Sequence, residues 1–210
     1  MSQGYFITGT DTEIGKTHSA VELIRLYRGQ GKTVLAMKPV ASGCEILPDG
    51  RWLNDDVARL VAATGQTDLD LMNPYRFLPP VSPHIAAREA GVEIELARIG
   101  EHYHRLSAQA DIVLVEGAGG WLAPLSDTLF MADLAQSLAL PVILVVGMRL
   151  GCINHALLSA RAIADSGLEL AGWVANCAQP PQAAYAENLA TLRRHIPAPL
   201  LLELPYRPLE

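Results

Sequence analysis

The chain has 210 residues, half of them apolar, enough for one domain with a sizeable core. Its formal net charge is −6, with 22 acidic against 16 basic side chains. A domain that grips nucleic acid is usually basic, so the overall balance disfavours that role. Three widely spaced cysteines, Cys44, Cys152 and Cys177, form no CxxC and are odd in number, which argues against a disulfide framework or a structural zinc site. With an N-terminus that lacks a basic stretch before an apolar core, and no run long enough for a bilayer, these features predict a cytoplasmic protein without a membrane segment.

The first predicted strand, Tyr5–Thr8, runs into GTDTEIGKT at 9–17, and a helix is expected over 16–29. The usual phosphate loop places four residues between its first glycine and Gly-Lys-Thr; here there are five. A second strand, Thr33–Met37, leads into Lys38-Pro39-Val40-Ala41-Ser42-Gly43, where Pro39 fixes its own φ and disfavours helix at Lys38. Two stretches rich in Gly, Pro, Ser and Asn, Ala41–Asn54 and Asn73–Pro83, read as loops within the domain, with a helix at 55–64 after the first. The helix at 93–109 carries His102 and His104, which diverge at that spacing and make no metal pair.

A third strand, Asp111–Val115, ends at Glu116 and is followed by Gly117-Ala118-Gly119-Gly120. A helix over 129–139 and a strand over Pro141–Val146 come next, then Arg149 and the turn Gly151-Cys152-Ile153-Asn154-His155, which opens a helix at 152–166. Strand Leu170–Ala175, the residues Asn176 and Cys177, a helix at 181–195 and strand Leu200–Leu204 complete the pattern. The strands are continuously apolar rather than alternating, as expected of a parallel sheet covered on both faces. The expected fold is therefore α/β: a single-domain, P-loop NTPase-like open sheet, mostly parallel, with helices on both faces. Nearly every unusual sequence follows a strand, and in such sheets ligands sit beyond the carboxyl ends of the strands.

A glycine-rich turn between a strand and Lys-Thr at a helix start cradles phosphates with its N–H groups. Lys16 would reach the β and γ phosphates, and Thr17 would bind Mg²⁺. A plain glycine turn capping a helix is the alternative. Mg²⁺ between phosphates takes one or two carboxylates. Glu116 is the first candidate, against a solvent-facing strand end. Asp55 or Asp56 is the second, although either taken alone reads better as a helix-capping charge. Lys38 is either a surface charge or a second cation beside the phosphate loop. The Gly151 turn is either an ordinary helix start or a carboxylate site, with Arg149 adding charge or merely solvated. Trp121 and Trp173 read as packing residues.

Together these stretches resemble the dethiobiotin synthetase family over nearly the whole chain. The resemblance is carried by TGTDTEIGKT (8–17), KPVASG (38–43), NPY (73–75), SPH (82–84), VEGAGGW (115–121), GCINHA (151–156), GWVAN (172–176) and PAPLL (197–201). The five-residue gap is that family's own form of the loop. The resemblance implies ATP-dependent carboxylation and ring closure of 7,8-diaminononanoate (7,8-diaminopelargonate) with CO₂ in biotin biosynthesis. The products are dethiobiotin, ADP and phosphate, formed by way of a carbamate and a carbamic-phosphoric anhydride.

It further implies that Lys16 and Lys38 neutralise charge at the reacting end and that Thr17, Asp56 and Glu116 hold Mg²⁺. Thr12, Glu13, Ile14, Gly15, Lys16, Thr17 and His18 would wrap the phosphates, with Gly117, Ala118 and Gly119 nearby. Asn176, Cys177, Pro205, Tyr206 and Arg207 would lie at the adenine end. Ser42 and the turn Gly151, Cys152, Ile153 and Asn154 would contact the diamine, that turn reaching substrate held mainly by the other subunit of a homodimer. Two alternatives are a partitioning-type switch ATPase and a catalytically silent nucleotide-binding regulator. The first carries a signature lysine early in its loop, where positions 10–14 here are Thr, Asp, Thr, Glu and Ile. The second fits poorly with the presence of Lys16, Thr17, Lys38 and Glu116.

Overall fold

The computed structural model describes residues 2–180 and 182–206. Six parallel strands form the central sheet. In chain order they are β1 (Gln3–Gly9), β2 (Val34–Met37), β7 (Ile112–Glu116), β8 (Val142–Gly147), β9 (Leu170–Asn176) and β10 (Leu200–Leu204), and their spatial order is β10-β9-β8-β1-β7-β2. All six runs expected to be strands are strands. The shared direction aligns their carboxyl ends, so the loops after β1, β2 and β7 emerge side by side.

Neighbouring residues on each strand supply different cores. Phe6, Val113, Val115, Val142, Leu144 and Val146 face one layer. Ile7, Ile112, Leu114, Ile143 and Val145 face the other. This is why the strands are apolar throughout: a period of two places successive side chains on opposite faces, and both faces are covered. Helices α1 (Lys16–Gly29) and α2 (Asp55–Thr64) cover the second layer through Ala20, Leu23, Ile24, Val57 and Leu60. The first layer is closed by α5 (Leu96–Ser107), α6 (Met131–Leu138), α7 (Cys152–Asp165) and α8 (Tyr185–His195). Trp173 and Trp121 are buried in this layer, and Trp121 meets Phe6 edge-on. No helix among the described residues is long and apolar enough to cross a membrane.

The two stretches read as loops contain more order than expected. The first holds β3 (Val40–Ala41) and an antiparallel hairpin of β4 (Glu45–Ile46) with β5 (Trp52–Leu53). Between α2 and α5 lie α3 (Leu69–Met72), β6 (Tyr75–Arg76) and α4 (Pro83–Glu89). The Asp68 side chain caps α3 by accepting from the Leu71 N–H at 2.9 Å, and Pro83 opens α4, where its missing N–H is harmless. β6 pairs with β3 in parallel. That pairing joins segments more than thirty residues apart, and no local periodicity encodes it. Three expected helices also start later than read: α5 at Leu96, α6 at Met131 and α8 at Tyr185. Glu95 at the α5 boundary is extended, with its N–H donated to the Tyr75 hydroxyl.

Candidate active site

The phosphate loop leaves β1 and closes on α1 through two left-handed residues, Glu13 (φ 58°) and Gly15 (φ 83°). Gly15 is obligatory on two counts: its φ suits glycine, and a Cβ there would sit 2.2 Å from the Asn176 side-chain nitrogen. Ile14 turns inward and is 4% exposed. The loop is pinned to β8 by the Thr10 N–H donating to the Val145 carbonyl at 3.0 Å. Asp11 adds a salt bridge to Arg149, so the Arg149 charge is paired with the loop.

At the foot of the loop Lys16 and Thr17 begin α1, both buried. Lys16 Nζ donates to the Asp11 carbonyl at 2.9 Å. Burial, and then repulsion from Lys38, push the Lys16 pKa down to about 8 against the pull of Glu116, Asp56 and Asp11. A polyphosphate at this position would oppose that downward shift.

Lys38 is the centre of the arrangement. It is 3% exposed, and its Nζ donates to Glu116 Oε1 at 2.5 Å and to Asp56 Oδ2 at 2.9 Å. Burial alone would lower its pKa; the two carboxylates and their hydrogen bonds outweigh that and hold it above the ordinary lysine value. The reading of Lys38 as a surface charge is thereby excluded. Its backbone is fixed from both sides: its N–H donates to the Met72 carbonyl at 3.0 Å, and Asn73 Nδ2 donates to its carbonyl at 2.6 Å. Asn73 is fully buried. It was not singled out from the sequence beyond its place in Asn-Pro-Tyr, because its role is a contact with a residue 35 positions away.

Glu116 ends β7 at 1% exposure. Its Oε1 accepts from Thr17 Oγ1 at 2.8 Å and from Lys38, while its buried Oε2 has no partner among the described residues. The two adjacent aspartates part company. Asp56 points at Lys38; burial raises its pKa, but the charge of Lys38 and its hydrogen bond bring it below the usual carboxylate value. Asp55 points outward with a side chain 76% exposed and pairs with Arg59 at 2.9 Å. Asn54 sets this up: its carbonyl oxygen caps the Asp56 N–H at 3.0 Å, and its amide donates to the Ser42 carbonyl at 2.9 Å.

These groups open onto a cleft of about 930 Å³. Thr12, Glu13, Gly15, Lys16, Thr17, Lys38, Ser42 and Asp56 line one part, with Ala118 and Gly119 beside them. The same cleft is lined by the apolar residues Val40, Ala41, Pro80, Val81, Pro83, Ile85, Ala123 and Pro124 and by Asn54, Asp55, Arg59, Ser82 and Gly120. Gly117 contributes its carbonyl, 3.5 Å from Lys38 Nζ. His18 follows on α1, half-buried and outside the cleft lining.

Other sequence-derived candidates stand elsewhere. Asn176 and Cys177 are buried at the end of β9, with Asn176 Nδ2 donating to the Ile14 carbonyl at 2.7 Å. Pro205 and Tyr206 follow β10, and Arg207 lies outside the described residues. The turn of Gly151, Cys152, Ile153 and Asn154 opens α7 but does not line the cleft.

Two carboxylates, one of which has a buried unpartnered oxygen, and a hydroxyl fit a small hard cation. No group of three His, Cys, Asp or Glu side chains gathers among the described residues. A Mg²⁺ ion here would therefore depend on phosphate oxygens and water for most of its ligands, its usual habit beside nucleotides.

A parallel sheet, a glycine-rich loop entering a helix through Lys-Thr, and an acidic strand end facing that threonine define an ATP-using enzyme of the P-loop NTPase type. The chain resembles the ParA family ATPase from Chlorobium tepidum, with a TM-score of 0.58 and 17% identity over 99% of this chain and 86% of that one. It also resembles the MinC:MinD cell division complex from Aquifex aeolicus, with a TM-score of 0.59 and 14% identity over 99% and 83%. At such identities the likeness shows the fold alone.

Sequence relatives are more specific. A family model described as an AAA domain matches residues 3–209. The ATP-dependent dethiobiotin synthetase BioD of Aromatoleum aromaticum is 55% identical, over 97% of this chain and 91% of the relative. That of Pseudomonas aeruginosa is 52% identical, over 96% and 89%. The chain belongs to the dethiobiotin synthetase family.

Proposed function

We infer that the protein is an ATP-dependent cyclo-ligase. In this reading it carboxylates 7,8-diaminononanoate with CO₂ and closes the cyclic urea of dethiobiotin, in the cytoplasm and as a step of biotin synthesis. The observation that carries it is the buried Lys38 held between Glu116 and Asp56 in a cleft with both charged and apolar lining, next to the phosphate loop. A partitioning-type ATPase carries its additional lysine early in the phosphate loop, whereas here the second ammonium follows β2 and borders a cleft with both polar and apolar lining. A diamine with a carbon chain needs both: cations that favour its neutral amine and its carbamate anion, and an apolar wall for the chain. Three free thiols suit a reducing compartment.

The chain's own residues have separable tasks. Loop N–H groups and Lys16 hold the phosphates of ATP. Lys38 and Lys16 neutralise the carbamate oxygen and the terminal phosphate, so that this oxygen takes the γ-phosphoryl group of ATP and ADP leaves. The second amine then attacks the carbonyl carbon of the mixed anhydride, phosphate leaves, and the nitrogen gives up its proton. No side chain forms a covalent bond, so the acceleration comes from positioning and preorganised charge. Thr17, Asp56 and Glu116 would hold Mg²⁺, which when bound shields the phosphate oxygens. Ser42, in the lining of the same cleft, would contact the diamine.

We propose a homodimer in which the Gly151–Asn154 turn serves the partner's cleft. The turn does not line its own cleft, and its neighbour Leu150 is 91% exposed, so this surface can be probed at Leu150. Leu150→Asp should weaken self-association in sedimentation equilibrium; an unchanged dimer would remove this surface from the interface.

The functional reading is tested by incubating the protein with diaminononanoate, bicarbonate and MgATP, with mass detection of the cyclic urea. ATP hydrolysis without product would overturn it. The aspartates offer a further check. Asp56→Asn should raise the Mg²⁺ requirement on the order of tenfold or more, the scale set by perturbing a metal's support. Asp55→Asn should leave turnover and Mg²⁺ dependence at the parent level, because an exposed helix pair is worth about 0.5 kcal/mol at most. Equal effects of the two substitutions would contradict the assignment.

A further inference from the structure

Within the phosphate loop the Ile14 side chain is buried, 4% exposed. The space for Ile14 exists because residue 147 is glycine: a Cβ there would lie 2.6 Å from Ile14 Cγ2. Burying Ile14 leaves its carbonyl oxygen pointing inward, where it must find a donor or cost about 1–3 kcal/mol. Asn176, 2% exposed at the end of β9, supplies one at 2.7 Å. The same amide nitrogen occupies the space beneath Gly15, the last residue before Lys16. One side chain thus fixes the two residues that aim the loop's N–H groups and the start of α1. Strand β9 is in turn tied to the end of β8, since the Met148 N–H donates to the Asn176 carbonyl at 2.8 Å.

From this geometry we propose that Asn176 is a positioning residue for the phosphate loop, independent of any contact it makes with a nucleotide base. Its amide preorganises the loop for triphosphate before ligand arrives. The proposal rests on the reading that the loop holds the phosphates of ATP, and it stands apart from the diamine chemistry.

The test uses inorganic tripolyphosphate with Mg²⁺, a probe that has phosphates and no base. Affinities of the parent, Asn176→Asp and Asn176→Ser for this probe and for MgATP are measured by titration calorimetry, with a melting curve for each protein. Asp keeps the shape but replaces the donor with an acceptor facing the Ile14 carbonyl; Ser is too short to reach it. Tripolyphosphate affinity is expected to fall about tenfold or more in both variants, the scale of one lost buried hydrogen bond. MgATP affinity should fall at least as far.

The proposal is overturned if either folded variant binds tripolyphosphate within twofold of the parent while MgATP binding drops, because Asn176 then serves the base alone. It is equally overturned if the parent fails to bind tripolyphosphate, since a preorganised loop needs no base to hold phosphate. Should Asn176→Asp not fold, Asn176→Ser carries the comparison. Loss of cyclic-urea synthesis in the parent would sink the functional reading and leave this one standing.

Discussion

Lys38→Ala is expected to slow dethiobiotin formation by roughly a hundredfold or more, about 3 kcal/mol of transition-state stabilisation, the cost of one preorganised charged donor. The loss should fall on turnover more than on ATP affinity, because Lys16 and the loop N–H groups remain. A second effect comes from the free protein. Lys38 neutralises Glu116, which is 1% exposed, and a buried charge left without its partner costs about 3–5 kcal/mol. The penalty should be nearer the lower end, since the Asp56 side chain is 40% exposed and water can follow it into the cleft. Mg²⁺ should recover part of that stability in the variant by supplying the missing positive charge. Lys38→Arg is not expected to rescue, because a planar guanidinium cannot reproduce a point charge in a fully enclosed position. Turnover and melting temperature, each with and without Mg²⁺, check both effects. Parent-like turnover in Lys38→Ala would remove the residue from the mechanism.

Glu116→Gln is the second large effect. The substitution keeps an acceptor for Thr17 and Lys38 and removes only the charge. The unpartnered Oε2 becomes an amide nitrogen, a donor turned toward a cation. Mg²⁺ affinity should weaken on the order of tenfold to a hundredfold, and turnover at saturating Mg²⁺ should still fall by about a hundredfold. Little destabilisation is expected: one carboxylate, Asp56, still balances Lys38. A Mg²⁺ titration superimposable on the parent's would show that Glu116 merely holds Lys38 in place.

Both predictions depend on an arrangement only half written in local sequence. Glycine spacing, Lys-Thr at a helix start and Glu116 at the end of an apolar run are local patterns. They announced a phosphate site before any contact was known. The partition of Asp55 from Asp56 is different. Successive residues on a helix diverge by about 100°, so one faces the site and the other the solvent, and only the seating of α2 against α1 decides which. Lys38 is similar. The sequence offered a stiff turn after a strand, but burial between two carboxylates 18 and 78 residues away needs the sheet to exist.

What the sequence by itself determined was the sheet, its six strands, the covering helices, the phosphate loop and the family. Those follow from hydrophobic periodicity and from short motifs whose meaning lies in adjacent residues. Tertiary structure showed that Asp56 faces Lys38 while Asp55 faces Arg59, and that Asn73 braces Lys38. It also showed that the Gly151 turn does not line its own cleft and that Asn176 grips the phosphate loop from β9. Each of these is a side-chain or surface relation between segments far apart in the chain, and the order in which parallel strands assemble brings such segments together.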